Sequence, residues 1–100
     1  MATSVAGQFV FGTKDVATAG TQVQLDATTS RLLRSLLIIA HSDNAGRIFY
    51  GGSDVDASTQ KGLQAGESMT LQGVEPFEIG DIWIDAATNG DGVDFVGVRA

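Results

Sequence analysis

Apolar and polar residues alternate along much of this 100-residue chain. Val23 and Leu25 interleave with Gln22 and Gln24, Met69 and Leu71 with Ser68 and Thr70, and Ile82 and Ile84 with Trp83 and Asp85. A period of two puts every second side chain on one face of an extended strand. Phe9 and Phe11 share a face by the same rule. The pattern predicts strands over 8–13, 22–25, 34–41, 47–50, 68–71, 81–85 and 94–98. Glycine-bearing turn signals separate them, among them Ala19-Gly20, Asn44-Ala45-Gly46, Gly51-Gly52, Ala65-Gly66, Gln72-Gly73 and Asn89-Gly90-Asp91-Gly92. Short strands at such spacing are the mark of an all-β sandwich or barrel.

Residues 31–40 read two ways. Leu32, Leu33, Leu36 and Leu37 form a helical stripe, and the segment before them offers an N-cap. Ile38 and Ile39 are β-branched, and both faces of 35–40 are apolar, so the second half is assigned to a strand buried on both sides. Such a strand lies either at the centre of a sandwich or at a subunit interface. The single proline, Pro76, fits an edge or a turn. Residues 1–7 are small and are expected to form a flexible arm, with one domain over 8–100.

Composition narrows the function. Hydrophobic residues make up 43% of the chain, enough for a globular core. Cysteine is absent, so thiol chemistry and disulfides are excluded. The longest apolar run, 36–40, is far too short to span a membrane as a helix, and the first residues lack a signal-peptide pattern. A soluble protein that binds no membrane is expected. Net charge is −6. The excess lies in residues 51–100, where nine acids face Lys61 and Arg99, and it argues against nucleic acid as a partner.

Candidate chemistry is sparse. His41 is the single histidine, and its neighbours Ser42 and Asp43 cannot form a triad with it by adjacency along a strand. One histidine without cysteine makes no zinc site unless carboxylates complete it. The Asn89–Asp94 stretch offers oxygens at alternate positions, as a calcium loop does, but lacks the later glutamate. Asn-Gly and Asp-Gly are also the favoured dipeptides of a type I′ hairpin, and a hairpin is the expectation here. Asp54 and Asp56 are read as edge solvation or Asx turns rather than paired catalytic carboxylates. No enzyme activity and no cofactor are expected.

Three stretches carry a resemblance. They are Arg47-Ile48-Phe49-Tyr50-Gly51-Gly52-Ser53-Asp54-Val55-Asp56-Ala57, the Gly-Leu-Gln-Ala-Gly-Glu-Ser-Met-Thr-Leu of 62–71, and Asp81-Ile82-Trp83-Ile84-Asp85-Ala86. Together they resemble small virion proteins of tailed bacteriophages, over roughly residues 20–88. The chain departs at Phe49-Tyr50, where the family more often has an aromatic followed by an aliphatic residue. The resemblance implies an antiparallel, jelly-roll-like β-sandwich of seven to eight short strands. It implies a capsid decoration (cement) protein on the virion surface, made in the host cytoplasm. Its partners would be the major capsid protein and copies of itself, with a homotrimer as the expected assembly. Candidate interface residues are Phe9, Val10, Phe11, Leu36, Ile38, Tyr50 and Trp83. The alternative is a tail or fibre module that binds host glycans by stacking sugar rings on Trp83 and Tyr50, with Asp54 and Asp56 accepting hydroxyls.

Overall fold

The computed structural model describes residues 9–27, 32–55 and 62–100. The predicted arm over 1–7 lies outside these. Seven strands form: β1 (Phe9–Asp15), β2 (Val23–Gln24), β3 (Leu32–Ala40), β4 (Ile48–Gly51), β5 (Ser68–Glu78), β6 (Trp83–Ala86) and β7 (Gly92–Arg99). They build two antiparallel sheets, ordered β1-β7-β3-β5 and β2-β6-β4. All seven predicted strands are present. The largest difference is β5, which continues past the predicted Gln72-Gly73 turn to Glu78.

Successive strands alternate between sheets, so no named strand pairs with its neighbour in sequence. A single antiparallel bridge, Leu63 to Ile48, extends the smaller sheet beyond β4. Counted as a rudimentary strand, it completes two interleaved four-stranded layers in the order of a jelly roll. The hairpin expected at Asn89-Gly90 is therefore a crossover: it carries the chain from β6 in one sheet to β7 in the other. Its turn runs from Thr88 to Asp91, with positive φ (+87°) at Gly90 and not at Asn89. That is the pattern of a type II turn, whereas type I′ needs both central residues at positive φ.

The core fills the space between the layers. Val10, Leu36, Ile38, Ala40, Val93 and Phe95 come from the larger sheet, and Ile48, Ile84 and Ala86 from the smaller. Gly12 permits this packing, because a Cβ there would stand 2.9 Å from the Phe95 ring.

β3 explains the mixed signal in the sequence. Its register slips between Leu33 and Ser35, so one extra residue bulges there. Leu33 and Leu36 both point into the core at a spacing of three, which imitates a helix. Beyond the bulge Leu36, Ile38 and Ala40 are buried, while Leu37 and Ile39 are half-buried on the opposite face. Among the described residues the strand is thus central but covered on one side only, which corrects the expectation of burial on both faces. On the other flank, Leu33 pairs with Phe77 and Ser35 with Gln72. Residues 73–76 leave the ladder there and expose Val74 completely, with Pro76 on an edge strand.

Candidate interaction surface

The outer face of the four-stranded sheet is not covered by any other described element. Register places its side chains in rows. One row is Phe9, Val98, Ser35 and Gln72; the next is Phe11, Val96, Leu37 and Thr70; the third is Thr13, Asp94, Ile39 and Ser68. Phe9 is 51% exposed and Phe11 71%, and Val96 is exposed beside them. Six apolar side chains lie in these rows, with one carboxylate, Asp94, near the rim. Scattered exposed apolar residues are ordinary, but a contiguous apolar patch marks a contact surface.

The candidate interface residues divide. Phe9 and Phe11 stand on the open face. Val10, Leu36 and Ile38 point inward and are buried in the core, so they have no surface to offer a partner. Alternation along one strand made this division: Val10 lies between the two phenylalanines, on the opposite face. Tyr50 pairs with Ile84 on the inner side of the smaller sheet and packs against the core. Trp83 pairs with Gln24 and Gly51 on the outer side. Tyr50 and Trp83 therefore face opposite ways and do not share a platform for a sugar ring. Phe49, next to Tyr50, is buried on that outer side beside Gly62. Asp54 is exposed, and Asp56 lies outside the described residues.

Polar side chains concentrate where loops 16–22, 41–47, 64–67 and 87–91 meet at one end of the sandwich. Asn44 donates to the Gly92 carbonyl (2.9 Å) and accepts from the Gly92 N–H (3.0 Å), so it mimics a strand partner. Asp91, almost fully buried, accepts from the N–H groups of Ala45 (3.0 Å) and Gly46 (2.8 Å). Asn89 accepts from the Ala19 N–H (2.7 Å). Two of the side chains that a calcium loop would aim at a metal, Asn89 and Asp91, thus accept from backbone donors. Among the described residues, no three His, Cys, Asp or Glu side chains converge on a metal position.

Asp94 accepts the Thr13 hydroxyl proton (2.6 Å) and lies 2.9 Å from His41 Nε2, while His41 Nδ1 is 3.9 Å from Asp15. The Thr13 hydrogen bond, then that of His41, holds the Asp94 carboxyl below its ordinary value of 3.8. Thr13 and His41 thus meet on the same Asp94 oxygen rather than on each other. A shallow hollow beside it is lined by Ile39, His41, Ser42, Asp43, Gly66 and Asp94.

Sequence reasoning missed Asp85. Alternation sets it on one face with Trp83, opposite Ile82 and Ile84, yet it is 1% exposed. Its Oδ1 accepts from the N–H groups of Gly20 (3.0 Å) and Ala86 (2.7 Å), and Oδ2 has no hydrogen-bond partner among the described residues. The 17–22 loop folding back over β6 buries it, and no local pattern announces that contact. Comparison with protein families, curated proteins and solved structures finds no match.

Proposed function

We propose that this protein is a capsid decoration protein of a tailed bacteriophage, working as a homo-oligomer that binds the outer shell and stabilises it. The observation that carries the reading is the uncovered apolar face of the larger sheet, with Phe9 and Phe11 standing out from it. The jelly-roll strand order and the turn motifs of residues 47–71 support it. So does the use of the polar loop side chains in holding the fold together rather than in a reactive centre. A ligand that binds only the assembled shell stabilises that shell by mass action. Each phenylalanine, if fully buried against capsid protein, would contribute about 1.5–3 kcal/mol.

The test is co-sedimentation of purified protein with capsids lacking it. Phe9→Ser with Phe11→Ser is expected to weaken binding by at least about tenfold, from the exposed share of the burial energies just given. Removal of residues 1–11 is a poorer test, since it also takes Val10 out of the core and cuts β1 short. Binding of the doubly substituted protein at full strength would refute the reading.

A further inference from the structure

We propose that the free edge of β1 is where a second copy of this chain pairs, antiparallel across a two-fold axis. Two four-stranded sheets then become one of eight. The four sheet edges are unequal. β5 carries Pro76 and the 73–76 excursion, with Glu75 and Glu78 on the same strand, and these features obstruct added strands. β2 is two residues long, and β4 is bridged by Leu63. β1 is seven residues long, contains no proline, and its outer edge is unpaired among the described residues. The two most exposed aromatic side chains stand on it.

Charge selects the occupant. A net charge of −6 sets two copies of this chain in mutual repulsion. β1 carries one Lys14 and one Asp15 and is neutral. The strand is also self-complementary. Keeping like faces together restricts the register to even offsets. Centring the axis on Phe11 sets that ring opposite its counterpart and places each Phe9 diagonal to the other copy's Phe11, within cross-strand reach. The contact is isologous, as two-fold contacts are.

Area sets the strength. A buried aromatic side chain covers roughly 150–250 Å². At 51% and 71% exposure, the four phenylalanines of a pair fall well short of the 1,200–2,000 Å² or so that stable complexes bury. A reversible dimer follows, with a Kd on the order of micromolar or weaker. This pairing rests on the decoration reading for its self-association, and it puts a dimer in place of the homotrimer that the resemblance implies. It is measured without capsids, so its failure is distinct from a failure of capsid binding.

The experiment is sedimentation equilibrium of the purified protein over a concentration series, with two kinds of variant. The expected result is a monomer–dimer equilibrium that Phe11→Lys weakens about tenfold or more while the circular-dichroism spectrum is retained. Since the chain has no cysteine, Phe11→Cys is expected to trap a disulfide dimer under mild oxidation. Val74→Cys, on the opposite edge, is expected not to. A strictly monomeric protein, a trimer, a dimer indifferent to Phe11→Lys, or equal cross-linking at both positions would each overturn the proposal.

Discussion

Asp91, itself almost fully buried, accepts from the N–H groups of exposed Ala45 and half-buried Gly46, so its removal takes the acceptor from both. Hydrogen bonds to a charged group are worth about 1.5–3 kcal/mol each. Asp91→Ala is expected to cost at least about 3 kcal/mol in denaturant unfolding, and Asp91→Asn less, because the amide keeps one acceptor oxygen. Asp94 is a milder case. Its carboxyl is held below the ordinary value, so it adds stability that is complete above pH 3.8 and is lost as the pH falls through the lower folded value. The group is half exposed and solvent screens it, so the effect is small. Thr13→Ala removes the first cause of the depression. The stability gap between wild type and variant should then be widest above about pH 4 and should close as the pH falls through the lowered folded value. An equal gap at every pH would show that Thr13 does not act through the carboxylate. None of these pairings was legible in the sequence. Thr13 and Asp94, or Asn44 and Gly92, meet only because distant turns are brought together.

At the level of the strand, period two located all seven elements but not the irregularities within them. β3 gave a false helical stripe because its bulge sets Leu33 and Leu36 on the same face. A prediction follows from the geometry. Deleting Arg34 removes the extra residue, and Leu33, Ser35, Leu36, Leu37 and Ile38 would then alternate without interruption. Deleting Leu37 instead turns the residues on one side of it to the wrong face. The first variant is expected to keep a cooperative thermal transition and the second to lose it. Retention by both would mean that the bulge does not set the register. β5 was underestimated for a related reason. Gly73 and Pro76 are true turn signals, yet they mark an excursion from an edge strand rather than its end.

For the molecule as a whole, the balance of apolar alternation and turns was enough to indicate a sandwich. It could not show that Asn89-Gly90 joins two layers, because a crossover and a hairpin use the same dipeptides. Nor could alternation alone say which face of β1 is wet. Phe9 and Phe11 share one face and Val10 holds the other, and it is the smaller residue that enters the core. Exposed substitutions usually change stability by no more than about 0.5 kcal/mol. The Phe9→Ser and Phe11→Ser variants used for capsid binding should therefore melt within a few degrees of wild type. A large drop would reveal that the pair supports the fold and would remove the case for a contact surface.

Phe9 sits opposite Val98 in the β1–β7 ladder, at the same end of two antiparallel strands. Tension applied through these two points pulls across the rungs rather than along them. The ladder then opens like a zipper, one rung after another, and resists little. Mechanical load on this protein is better carried through the broad face of its larger sheet than across the Phe9–Val98 end of this ladder.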